Sequence, residues 1–96
     1  MTRKECLDAA GACVLKDRNV TYGGPESSFA KIAAGWSALK GVEITAADVA
    51  LMMAWIKIVR ASSNPGHDDS WIDLAGYAAC GAELAGWSDE ATRNLK

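Results

Sequence analysis

Three groups of residues carry more chemistry than packing requires. Lys57 and Arg60 stand three apart, which puts both on one face of a helix. A basic pair on a shared face can hold an anion such as phosphate. Lys57 serves equally as a snorkelling side chain whose stem covers apolar surface. The second group is His67-Asp68-Asp69-Ser70-Trp71-Ile72-Asp73. Asp69 and Asp73 are four apart and stack on one helix face, where like charges repel by roughly 0.2–0.5 kcal/mol. Such a pair is useful if it holds a cation, or if it meets Lys57 and Arg60. Magnesium commonly takes one or two carboxylates and completes its shell with water and substrate phosphate. An acidic cap on a helix dipole accounts for Asp68 and Asp69. It does not account for Asp73, a full turn further in beside Ile72 and Leu74. The third group is Arg18 with Tyr22-Gly23-Gly24-Pro25-Glu26. Two glycines ahead of a helix can let backbone amides reach an anion. The lysine and spacing of a P-loop are absent, and an ordinary turn before a helix fits this segment as well. Tyr22 and Trp71 are aromatic candidates for stacking on a base.

Four helices would position these groups. Alanine is abundant and strand-type alternation is scarce. The first helix is expected from about Arg3 to Lys16, opened by a Thr2-x-x-Glu5 capping box. Leu7, Ala10 and Val14 form its apolar stripe, with Cys6 and Cys13 alongside. A long polar loop, Asp17–Gly24, leads to a second helix from Pro25 to about Lys40. Phe29, Ile32, Ala33, Trp36 and Leu39 form its core stripe, and Gly41 ends it. Thr45-x-x-Asp48 caps the third helix in the same way. From Val49 to Val59 that helix is apolar nearly all round, as expected of a central helix or one at a subunit interface. Ser62-Ser63-Asn64-Pro65-Gly66 breaks it. The fourth opens at His67-Asp68-Asp69-Ser70, with Asp68 or Asp69 as N-cap, and runs to about Trp87. Its small residues, Ala75, Gly76, Ala78, Ala79, Gly81 and Ala82, allow another helix to come close.

Composition excludes several classes. Half of the 96 residues are hydrophobic and the net charge is −2. That is too apolar for disorder and too weakly basic for bulk binding to DNA or RNA. No run of 18 apolar residues offers a membrane span, and the N-terminus lacks a signal core. A single all-α domain over residues 1–96, cytoplasmic and four-helix-bundle-like, is the expectation. Three cysteines without a close pair, and one histidine, suit buried small side chains rather than disulfides or zinc. Charge is thin for so much apolar surface, so contact with further copies is expected, a homo-oligomer meeting through the third and fourth helices.

The chain resembles small phage and prophage proteins of unassigned function. The resemblance rests on three blocks. They are Tyr22-Gly23-x-Pro25-Glu26, then Asp48-Val49-Ala50-Leu51-Met52-Met53 with Lys57-Ile58-x-Arg60, then His67-x-Asp69-Ser70-x-Ile72-Asp73-x-Ala75-Gly76-Tyr77. More distantly, the helical order is similar to the MazG-like all-α nucleotide pyrophosphohydrolases. Those enzymes hold magnesium with an E-E-x-x-E motif and a later E-x-x-D motif. Asp73 would match the final Asp, with Ser70 in the place of its Glu. No E-E-x-x-E is present, and Glu26 and Glu43 are isolated. Metal-assisted hydrolysis needs several carboxylates, so the likeness implies ligand binding more than catalysis.

The expected function is binding of a nucleotide-derived ligand in a subunit-interface pocket, sequestering a nucleotide signal of host defence. The ligand set would be Arg18, Tyr22, Lys57, Arg60, His67, Asp69, Trp71, Asp73 and Tyr77. Lys57 and Arg60 would hold phosphate, Tyr22 or Trp71 would stack on the base, and Asp69 or Asp73 would accept hydrogen bonds from ribose or base. One alternative is a magnesium-dependent nucleoside triphosphate pyrophosphohydrolase with Asp69 and Asp73 on the metal. Another is an interaction module without a small ligand, docking through its apolar third helix.

Overall fold

A computed structural model describes residues 1–17 and 25–88 of the chain. The loop carrying Arg18 and Tyr22 lies outside the described residues, as does the segment after Ser88. Among the described residues every regular element is helical: α1 (Arg3–Ala12), continued by a π-helical turn (Cys13–Asp17), α2 (Pro25–Lys40), α3 (Ala46–Ser63) and α4 (Asp68–Ser88). None of these helices is long and apolar enough to cross a membrane.

The local signals determine the helix starts. At α1 the Thr2 hydroxyl accepts from the Glu5 amide at 3.1 Å, and the Glu5 carboxylate accepts from the Thr2 amide at 2.7 Å. At α3 the Thr45 hydroxyl accepts from the Asp48 amide at 3.1 Å, and Asp48 returns a bond to the Thr45 amide at 2.9 Å. Each box satisfies two amides that a bare helix end would leave open. The end of α2 closes through Gly41, whose φ of 70° suits glycine alone without strain. Its amide donates to Ser37 O at 2.9 Å. The Ser37 hydroxyl donates to Ala33 O at 2.7 Å and accepts from the Ile44 amide at 2.8 Å, clasping the α2–α3 connection onto the helix.

Other boundaries differ from expectation. The first helix is α-helical only to Ala12, and Cys13–Asp17 widens to a π turn for which no local residue pattern is evident. Helix α3 continues through Ser62 and Ser63 before Asn64 stops it. There the Ser63 hydroxyl bonds back to Val59 O at 3.2 Å. Asp68 and Asp69 stand inside the first turn of α4 rather than at its cap. His67 precedes them, and its carbonyl accepts from the Ser70 amide at 3.2 Å.

The core is small. Phe29, Ala33, Val49, Ala50, Cys80 and Leu84 are buried together, with Val14, Ile32, Trp36, Ile44, Met53 and Tyr77 packed around them. The strongest helix pairing is α3 with α4. Gly81 makes it close, since a Cβ there would stand 3.2 Å from Ala50 Cβ. A Cβ at Gly76 would stand 3.0 Å from Val14 Cγ1. These two glycines of α4 therefore serve contacts within the chain.

Two expected core positions face outward. Leu39 is 80% exposed and Leu7 65% exposed. Each stands at one end of its stripe. Cys80 is buried as expected, but Cys6 is only half-buried and Cys13 is exposed, at the start of the π turn.

Candidate functional site

Lys57 and Asp73 come together. Lys57 Nζ lies 3.0 Å from Asp73 Oδ2, joining α3 to α4. The lysine side chain is 15% exposed and the aspartate 40% exposed. Lys57 is the only charge between Asp48 and Arg60, and it points inward against α4. Its charge is neutralised where water reaches it poorly, which is the condition under which a buried lysine is tolerated. Asp73 is accounted for by the same contact.

The other expected site residues do not join this pair. Arg60, three residues along α3, is exposed with no ion-pair partner among the described residues. His67 and Asp69 are exposed around the start of α4. Tyr77 packs on Phe29, with ring centroids 6.1 Å apart and planes inclined at 33°. It belongs to the core side of α4, where offset aromatic pairing favours it. Ser70 is buried. Arg18 and Tyr22 have no described position.

Trp71 sits differently. Its indole N–H donates to Pro65 O at 2.9 Å, which fixes the ring against the α3–α4 turn. The side chain nevertheless remains 44% exposed. It forms one wall of an open basin of about 660 Å³. The basin lies between the start of α1 and the α3–α4 turn, and Thr2, Arg3, Cys6, Leu7, Pro65 and Asp68 line it with Trp71. Its size is within the usual range for small-molecule sites. The starts of two helices, α1 and α4, meet here, and helix starts favour anions. Glu5, Asp68 and Asp69 in the first turns take up part of that field. Arg3 is the cation on the basin wall.

Sequence reasoning missed Arg3 and Leu7 as site residues. The exposed leucine was the available signal, but it was counted toward the core. Nothing local shows that the α1 start meets a turn some sixty residues away.

Glu5 is held below the usual carboxylate range by hydrogen bonds from the Thr2 backbone and side chain, which favour its ionised form. Asp73 is engaged by Lys57, and Asp69 stands exposed a turn earlier. Among the described residues no three His, Cys, Asp or Glu side chains group together to hold a metal ion.

Comparison with known proteins agrees with the phage resemblance. Residues 5–85 match the family described as Domain of unknown function (DUF6378). The chain is 39% identical over 74 residues to the Gene 55 protein of Mycobacterium phage D29, covering 77% of this chain and 49% of that protein. It is 41% identical over 73 residues to the Gene 55 protein of Mycobacterium phage L5, covering 75% of this chain and 47% of that one. The chain thus spans about half the length of the curated relatives it matches. No solved structure matches it.

Proposed function

Since the chain belongs to the DUF6378 family and is similar to two mycobacteriophage proteins, we propose that it binds a nucleotide-derived ligand in the Trp71 basin. One observation carries the proposal. An aromatic ring held rigid by its own hydrogen bond lies open on the wall of a ligand-sized basin that also bears Arg3. A pre-positioned indole stacks on a base without losing much freedom. Arg3 pairs with a phosphate, and Asp68 accepts from ribose hydroxyls or a base amine. A single arginine suits a ligand with few phosphates. Binding without turnover would sequester the ligand, the behaviour of a sponge for a nucleotide signal of host defence. The same proposal has the chain working as a homo-oligomer with a MazG-like arrangement of helices. The basin, however, is built within one chain, and Lys57 and Asp73 are not part of it.

The test is to denature protein purified from phage-infected or expressing cells and identify released small molecules by mass spectrometry. Calorimetry with a panel of nucleotides and cyclic nucleotides follows. A released nucleotide, or heat that Trp71→Ala removes, supports the proposal. Absence of both overturns it.

A further inference from the structure

The outward face of α3 carries Leu51, Met52, Trp55, Ile56, Ile58 and Val59, each between 41% and 69% exposed. All six fall within nine residues. Met52, Trp55 and Val59 follow the spacing of a helix-pairing seam, with Leu51 and Ile58 on one flank and Ile56 on the other. No charge interrupts the stripe, because Lys57 is turned inward to Asp73. Its two ends are charged oppositely, with Asp48 in the first turn and Arg60 in the last.

We infer that this face pairs with the same face of a second copy, the two α3 helices running antiparallel about a two-fold axis near Trp55. The inference deepens the self-association in the proposal above and is independent of the ligand. Three arguments select this occupant. The exposed apolar area of the six side chains is on the order of 550–600 Å², at the upper limit for a lone monomer. Two such faces together bury roughly 1,100 Å², about what a specific interface needs. Charge chooses the direction. An antiparallel pair sets the Arg60 end of each helix beside the Asp48 end of the other, whereas a parallel pair sets like against like. The face is also self-matching across a two-fold axis: Trp55 meets its own copy, and Leu51 lies opposite Val59 of the second copy.

Analytical ultracentrifugation of the full chain tests this across micromolar concentrations. Twice the 10.1 kDa chain mass is expected, falling to the single-chain mass in Trp55→Glu and in Leu51→Glu. Circular dichroism should stay unchanged, since both side chains stand outside the core. Direction is read by oxidation in a Cys6→Ser, Cys13→Ser background. Leu51→Cys and Val59→Cys chains should cross-link when mixed and not when alone. A single-chain mass at every concentration overturns the inference and leaves the face to another protein, or to the further half of longer relatives. A dimer indifferent to both glutamates, or cross-linking of Leu51→Cys to itself, also overturns it. Neither result bears on nucleotide binding, which calorimetry reads separately.

Discussion

Replacing Asp73 with alanine leaves the Lys57 ammonium at 15% exposure without its counter-charge. At 3.0 Å and an effective dielectric near 20, the pair's Coulomb attraction is about 5 kcal/mol. Most of that is offset by desolvation. Losing one partner of a fully buried pair costs about 3–5 kcal/mol, while an exposed pair contributes about 0–1 kcal/mol. Asp73 is 40% exposed, so the cost falls between, near 2 kcal/mol. For a domain of this size that lowers Tm by roughly 8–16 °C. Lys57→Met behaves differently. Its stem fills the same space, and the remaining carboxylate is open enough to hydrate, so the loss is about 1 kcal/mol or less. Combining Lys57→Met with Asp73→Ala should recover about 1 kcal/mol relative to Asp73→Ala alone, the signature of a direct pair. Thermal and urea unfolding followed by circular dichroism, at one fixed protein concentration, measure all four states of the cycle. If Lys57→Met is as damaging as Asp73→Ala, or if the double variant shows no recovery, the pair is not what holds these side chains.

Four further outcomes follow from the geometry. Trp71→Ala should weaken nucleotide binding by roughly 5- to 150-fold, the value of one stacked base, with little change in Tm because the ring caps no core; calorimetry and melting together read this. Gly11→Ala meets nothing within 4 Å and should raise stability by about 0.5–1 kcal/mol. Gly76→Ala meets Val14 at 3.0 Å and should lower stability by about 1 kcal/mol instead, both seen by urea unfolding. The lowered pKa of Glu5 means its capping contribution is complete above the ordinary carboxylate pKa and is lost as pH falls through the depressed folded value. An NMR titration should show that low value, and Thr2→Ala should bring it part of the way back.

The sequence was informative where structure is local. Both capping boxes depend on residues three apart, and both form. The α2 stripe read correctly at Phe29 and Ala33 because i, i+4 spacing alone puts them on one side, but spacing could not show where the neighbouring helices end, so Leu39 was misplaced. Helix α3 was legible as apolar all round, and for that reason its inward side was not. Lys57 decides it, by facing Asp73 on another helix. That partnership was one of several open for Asp73, and only the approach of α3 to α4 selects it. The candidate site was legible at Trp71 alone. Asp68 stands three residues from Trp71 on the same helix, whereas Arg3 reaches the basin through a long-range contact that no spacing records.

The close approach of Gly81 to Ala50 has a kinetic meaning. With α3 and α4 locked by small-residue contact and by the Lys57–Asp73 bond, the amides at their interface open only in the most global fluctuations, and α1 peels away at lower free energy. The Trp71 and Arg3 walls of the basin both stand at helix starts, outside that interface, where amides exchange more readily. A ligand bridging the two walls would therefore slow exchange at the starts of α1 and α4 and leave exchange at the Gly81–Ala50 contact unchanged.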